Sequence, residues 1–221
     1  FSEYLYFSSF SDTAIQNAQT IVQEVIASQW VDRDGLAVEI ASNDGYLLQF
    51  YKNQGIPVLG IEPARNIAKV ANEKGIDTLC EFFTPPIAEI LCQQGKQADV
   101  IHANNVLAHV ADLNGFVEAV SILLKDTGLA LIEFPYLQDL IEHCEFDTIY
   151  HEHLCYFSLT AIVPLFARHG LTVFHVERLA IHGGSLRLYV GKNRLVTRTV
   201  QQMLGDEQAS GIPSWDYYCS F

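Results

Sequence analysis

Leu36-Ala37-Val38-Glu39-Ile40-Ala41-Ser42-Asn43-Asp44-Gly45-Tyr46-Leu47-Leu48 decides the fold. Leu36–Ala41 is a short apolar run and reads as a buried strand. Ser42-Asn43-Asp44-Gly45 is a polar turn, after which Tyr46, Leu47, Phe50 and Tyr51 suit a helix. Strand, turn and helix in that order make the first unit of a parallel sheet. The alternation continues downstream. Pro57–Ile61, Ile76–Cys80, Ala98–Ala103 and Leu129–Phe134 read as further strands, the last after an Asp126-Thr127-Gly128 turn. Helices are predicted over residues 86–93 and from Asp112, and Pro63 suits the first turn of the helix after the second strand. Upstream, Asp12 is placed to cap a helix over 13–29.

After Phe134 the pattern loosens. Residues 135–157 read as an irregular insertion, followed by a helix over Thr160–His169 that ends at Gly170. Leu171–Arg178 and Ser185–Val190 read as strands joined through His182-Gly183-Gly184, a link short enough for an antiparallel pair. The expected fold is α/β and doubly wound, Rossmann-like, with a mostly parallel sheet and an antiparallel edge pair. Residues 1–191 are expected to form one domain, with 1–30 as linker and helix. Residues 192–221 are expected to begin a further, truncated element.

Composition bounds the function. The 221 residues are 49% hydrophobic and 18% charged, enough for a sizeable core. The formal net charge of −13 argues against nonspecific binding to nucleic acid or to an anionic membrane. Cys80, Cys92, Cys144, Cys155 and Cys219 are scattered, with no CxxC pair, which reads as reduced thiols of a cytoplasmic protein. No window is long and apolar enough to span a membrane. Phe1 opens the chain and Met203 is its one methionine, so a longer natural product is expected.

The turn after the first strand is where an open α/β sheet binds ligands. It holds a single glycine, a poor match to the dinucleotide pattern, but Ala41, Ser42, Asn43 and Gly45 still allow close backbone approach. Glu39 and Asp44 would repel a diphosphate. They suit the cationic, amino-acid-bearing end of S-adenosylmethionine. Glu62 ends the second strand and can accept hydrogen bonds from ribose hydroxyls, which NAD and S-adenosylmethionine share. Phe82 and Phe83 can flank an adenine or simply fill core. Asn104 and Asn105 can hold the amino-acid part.

Tyr150-His151-Glu152-His153 packs a phenol, a carboxylate and two imidazoles into four residues. Methylation of carbon needs an enolate, hence a base, and neutral histidine is suited to that task. Tyr150 or Glu152 can orient the base or manage enolate charge. Extended backbone would splay these side chains apart, so the reading requires a bent loop. A metal site at His151-x-His153 with His143, Cys144 or Cys155 matches no common spacing, and no metal is expected. A polar surface loop is the bland alternative. His182 sits in a tight turn or brings a histidine to substrate, and His109 reads as a supporting residue.

The segments VEIASNDGYLLQFY (38–51), GIEPARNIA (60–68), ANNVLAHVADLNGF (103–116), FDTIYHEHLCYFSL (146–159) and HGGSLRLYV (182–190) resemble the deoxysugar C-methyltransferases. The resemblance runs in order over roughly residues 1–191 and includes FSEYLYFSSFSD (1–12) and IEFPYLQDLIE (132–142). It implies a class I fold and methylation by S-adenosylmethionine of a carbon beside the ketone of a nucleotide-linked 4-keto-6-deoxysugar. It implies that His153 is the base, with Tyr150 and Glu152 beside it, and that His182 and Tyr4 or Tyr6 approach the substrate. The family's N-terminal zinc domain, with its paired cysteines, has no counterpart here, so zinc is expected only outside this chain. O- or N-methylation, a non-catalytic cofactor-binding module and an NAD oxidoreductase are the alternatives.

Overall fold

Helix α1 (Asp12–Ala27) is the first α-helix in a computed structural model that describes residues 5, 7–181, 183–219 and 221. Its cap is Ser11, whose side chain accepts from the Ala14 N–H at 3.2 Å. The predicted cap, Asp12, instead lies in the first turn, where its charge suits the helix dipole. Ala18, Ile21, Val22 and Val25 form the buried stripe that the helical spacing predicts.

Strands β1 (Ala37–Ile40), β2 (Val58–Ile61), β3 (Thr78–Leu79) and β4 (Ala98–Asn104) follow, with β2 and β4 parallel to β1 and β3 parallel to β2. Helices α2 (Leu48–Asn53), α3 (Arg65–Glu73) and α4 (Pro85–Gln93) connect them. Pro63 precedes α3 rather than entering its first turn, because Ala64 is the extended residue before the helix. Pro85 takes the first-turn role in α4. The third strand is shorter than predicted. Asn72 compensates by accepting from the Thr78 N–H at 3.1 Å and donating to the Thr78 carbonyl at 3.0 Å, as a neighbouring strand would.

Helix α5 (Leu113–Leu123) starts after Asp112, whose carboxylate accepts from the Gly115 N–H at 2.9 Å. Strand β5 (Leu124–Pro135) runs straight through the predicted Asp126–Gly128 turn. A Cβ on Gly128 would lie 2.7 Å from Leu124 Cδ1 and 3.0 Å from the Asp99 carbonyl, so glycine here serves close packing. Helix α6 (Leu137–Glu142) and a 3-10 turn (Phe146–Thr148) occupy the predicted insertion. Helix α7 (Leu159–Ala167) ends before Gly170, which is left-handed at φ 71°.

Strands β6 (Thr172–Leu179) and β7 (Ser185–Gly191) are antiparallel to each other, and β7 is antiparallel to β5. Among the described residues the strands form one seven-stranded sheet in the order β3-β2-β1-β4-β5-β7-β6. The expected mostly parallel sheet with an antiparallel edge pair is therefore what the chain forms. No helix among the described residues is long and apolar enough to cross a membrane.

Two compact units divide the chain: Phe1–Ala103 with Ile122–Leu129, and Asn104–Ser121 with Ala130–Phe221. The second includes helices α8 (Arg198–Ser210) and α9 (Trp215–Cys219). Glu207 of α8 is fully buried and accepts from the Leu159 and Thr160 N–H groups, at 2.6 and 2.7 Å, and from the Tyr136 hydroxyl at 2.9 Å. A carboxylate from one helix thus satisfies the amino end of another.

Candidate active site

In the first unit the loop after β1 alternates in handedness. Ala41, Asn43 and Gly45 all have positive φ, at 52°, 49° and 80°. Only Gly45 adopts this without steric cost. Its glycine is doubly required, because a Cβ there would lie 2.7 Å from Ile76 Cγ1. Asn43 is held in place from several directions. Its N–H donates to Glu62 Oε2 at 3.0 Å, and its Oδ1 accepts from the Ser8 N–H at 2.9 Å and the Asp44 N–H at 3.0 Å. Ser42 N–H donates to the Ile61 carbonyl at 3.3 Å, tying the loop to the end of β2.

Glu39, Ser42, Asn43, Asp44 and Glu62 are all buried, a concentration of polar groups that a plain turn does not need. Glu62 Oε1 also accepts from the Ala64 N–H at 2.8 Å. Asp44 Oδ2 pairs with Lys74 at 2.6 Å and accepts from the Ser9 hydroxyl. Glu39 Oε2, Asp44 Oδ1 and Ser42 Oγ are buried without a hydrogen-bond partner among the described residues. Burial, then Glu62, then Asp44 push the Glu39 carboxyl well above the usual carboxylate range, against a hydrogen bond from Tyr46. Burial also raises Glu62, opposed by its bonds from Ala64 and Asn43. Three crowded carboxyls with one lysine among them call for a cation.

Phe82 and Phe83 follow β3 in the same unit. Phe82 is 59% exposed and Phe83 half-buried, so Phe82 is not the core residue that its apolar side chain alone would suggest.

In the second unit Asn105 is left-handed at φ 54°, and its N–H donates to the Glu133 carbonyl at 2.8 Å. The side-chain oxygens of Asn104 and Asn105 are buried, and neither has a hydrogen-bond partner among the described residues. Tyr150–His153 forms the bent loop that the sequence required, closed by the His153 N–H donating to the Tyr150 carbonyl at 3.1 Å. The His153 ring lies 2.9 Å from the Thr148 carbonyl through Nδ1 and 3.2 Å from the Tyr150 hydroxyl through Nε2. A carbonyl can only accept, so Nδ1 carries the proton and Nε2 presents its lone pair.

Burial, then Glu152, then Tyr156 raise the Tyr150 phenol above its ordinary value, which keeps it a donor. Glu152 stands by His151, 4.0 Å away, and acts on Tyr150 through charge rather than contact. His109 packs edge-on to His153 with ring centroids 4.9 Å apart and bonds to the Glu152 backbone. Burial and then His153 lower its basicity.

The HGGS glycines have a packing reason. Gly183 and Gly184 have φ of 79° and 135°. A Cβ would strike the Glu145 carboxylate at the first and the Asp139 carboxylate at the second. Asp139 is itself forked to Arg178, whose guanidinium lies over the Tyr136 ring. Tyr4, Tyr6 and His182 lie outside the described residues.

Residues 16–176 match the methyltransferase domain family. The chain belongs to that family. The chain is 34% identical over its whole length to the C-methyltransferase NovU of Streptomyces niveus, and spans 53% of that protein. It is 28% identical to a ubiquinone biosynthesis O-methyltransferase of Bordetella avium over 41% of this chain and 39% of that one. Its fold is shared with the magnesium protoporphyrin IX methyltransferase of Synechocystis PCC 6803, crystallised with bound SAH. That comparison has a TM-score of 0.63 and 13% identity, covering 81% of this chain and 83% of that one.

Methyltransferases of this family use S-adenosylmethionine. The first unit fits it, since the acceptors on Glu39 and Asp44 that lack a partner among the described residues match a ligand that carries sulfonium and ammonium charge. Several supporting residues of this loop were not legible in the sequence. Ser9 and Lys74 meet at Asp44 from positions 35 and 30 residues away. The left-handed positions at 41 and 43 were hidden because alanine and asparagine occupy them; their alternation with Gly45 was the signal available.

Proposed function

We propose that this methyltransferase moves the methyl group of S-adenosylmethionine to a carbon beside a ketone, with a nucleotide-linked keto-deoxysugar as substrate class. The observation that carries the reading is the His153 ring, held through Nδ1–H on the Thr148 carbonyl so that Nε2 is the basic nitrogen. Its likeness to a C-methyltransferase along the whole chain supports carbon as the acceptor.

Bound S-adenosylmethionine supplies an electrophilic methyl on sulfur. Glu39 and Asp44 balance its positive charge, and Glu62 accepts from the ribose hydroxyls. Ala41, Ser42, Asn43 and Gly45 bring the backbone close, Phe82 and Phe83 flank the adenine, and Asn104 and Asn105 hold the amino-acid part. His153 Nε2 takes the proton from the carbon beside the ketone. The electron pair left on the substrate forms the enolate, whose carbon would be the nucleophile; S-adenosylmethionine, when bound, would supply the methyl, its carbon–sulfur bond breaking with the pair left on sulfur as the neutral thioether product. Tyr150, held as a phenol, donates to the enolate oxygen, and Glu152 keeps it protonated. His182 and Tyr4 or Tyr6 contact the sugar.

His153→Ala tests the assignment. The expected loss in kcat is about 10²–10⁴-fold with cofactor affinity retained by calorimetry. Parental turnover in that variant would remove His153 as the base. Product NMR decides the acceptor: a methyl signal at an oxygen- or nitrogen-bound shift would move the reading to heteroatom methylation.

A further inference from the structure

The 3-10 turn Ser8–Phe10 reaches the cofactor loop from 35 residues away. The Ser8 N–H donates to Asn43 Oδ1 at 2.9 Å, and the Ser9 hydroxyl donates to Asp44 Oδ2. The Phe10 and Ser11 N–H groups close the turn on the Phe7 and Ser8 carbonyls, at 3.1 and 3.2 Å. Ser11 then caps α1, whose Ala18, Ile21, Val22 and Val25 are buried, so the turn hangs from a fixed helix. From another direction Lys74, just after α3, donates to the same Asp44 Oδ2 at 2.6 Å. Two donors therefore converge on one oxygen. Asp44 Oδ1 is buried and has no hydrogen-bond partner among the described residues. A carboxylate held by both donors on one oxygen cannot turn without losing them.

We propose that the Ser8–Phe10 turn is a strap on the cofactor loop, and that Ser9 is a positioning residue for S-adenosylmethionine. By holding Oδ2, Ser9 fixes the rotation of the Asp44 carboxylate and leaves Oδ1 as the acceptor for the cofactor's cationic end. Lys74 alone does not do this. It is about half exposed and arrives on a long, flexible side chain, so it supplies charge with little direction. The Ser9 hydroxyl sits on a short side chain in a hydrogen-bonded turn, and it supplies the direction. Ser8 acts on the neighbouring residue. Its N–H and that of Asp44 share Asn43 Oδ1, which holds Asn43 in its left-handed conformation. This role rests on the loop being the cofactor site.

Two substitutions remove the strap's donors one at a time. Ser9→Ala deletes the hydroxyl. Ser8→Pro deletes the N–H and suits the backbone, because Phe7 is extended at φ −105° and ψ 116° and Ser8 opens the turn. Calorimetry with S-adenosylmethionine is expected to show affinity about tenfold weaker in Ser9→Ala, the scale of one hydrogen bond to a carboxylate, and about fivefold weaker in Ser8→Pro. The melting temperature of free Ser9→Ala should stay within about 2 °C of the parent. Ser9→Thr keeps a hydroxyl and should restore affinity to within about twofold. A strap that served folding alone would lower the melting temperature and leave affinity parental, and that result overturns the proposal. Ser9→Thr binding as weakly as Ser9→Ala overturns it too. Should Ser9→Ala fail to fold, parental affinity in Ser8→Pro is the overturning result. Asp44→Asn reads the underlying assignment separately. Parental affinity in that variant removes the loop as the cofactor site, whereas weak binding there beside parental binding in Ser9→Ala removes only the strap.

Discussion

The cofactor loop and the Tyr150–His153 turn are built on opposite principles. The loop is buried, carries positive φ at Ala41, Asn43 and Gly45, and is wired to strand ends through Glu62 and Ile61. The turn lies at the surface, with Tyr150 43% exposed, and its groups are arranged by hydrogen bonds between residues a few positions apart. On the proposed assignment, binding rests on strain and burial, while the chemistry is assembled locally on a loop. Substitutions in the first should therefore change affinity and folding together, while those in the second should change rate alone.

Gly45→Val presses hardest on that contrast. The new side chain must adopt φ near 80° and meet Ile76. The expected result is loss of at least about 3 kcal/mol in stability, with cofactor affinity down by more than about a hundredfold. Thermal melting and calorimetry read both. Parental affinity in Gly45→Val would mean that the loop's handedness does not matter for binding.

Glu207→Ala asks whether the second unit also depends on a buried carboxylate away from its turn. It strands the Leu159 and Thr160 N–H groups and the Tyr136 hydroxyl. Loss of about 2–3 kcal/mol in urea unfolding is expected. A change under about 0.5 kcal/mol would show that water replaces the carboxylate without cost.

Local patterns made the fold legible. The apolar stripe of α1 and the strand-turn-helix at 36–48 need only neighbours in sequence, and both formed as read. The misreadings came where distant groups intervened. Asp126–Gly128 looks like a turn until Asp99, paired with Lys125 at 2.7 Å, and Leu124 close around it in a strand. At the candidate site, Tyr150 and His153 were legible because they lie three residues apart. The carbonyl that fixes the His153 tautomer was not, since a backbone oxygen leaves no mark in the sequence.

Tyr150→Phe takes the same contrast at smaller scale. Removing one hydroxyl from the exposed turn should lower kcat about tenfold and leave stability within about 0.5 kcal/mol. A fall in melting temperature that matched the fall in rate would make Tyr150 a folding residue and dissolve the distinction between the two regions.

The gentlest probe is pH, because it titrates the loop without altering it. Glu39 is raised by burial first and then by Glu62 and Asp44, so the free protein favours its protonated form. A raised carboxyl contributes stability that is full below its unfolded pKa and is lost as pH rises through its folded pKa. The free protein should therefore lose stability as pH climbs above the usual carboxylate range. A cationic cofactor reverses the preference, since it favours the ionised form and expels the proton. Affinity should rise with pH over the same window, by no more than about tenfold per unit for one proton. Calorimetry in buffers of different ionisation enthalpy measures the release directly. Glu39→Gln should abolish most of it, leaving the part that Glu62, also raised by burial, contributes. Release that persists undiminished in Glu39→Gln would place the titrating group elsewhere, and the loop's buried charge would then have to be assigned to structure rather than to binding.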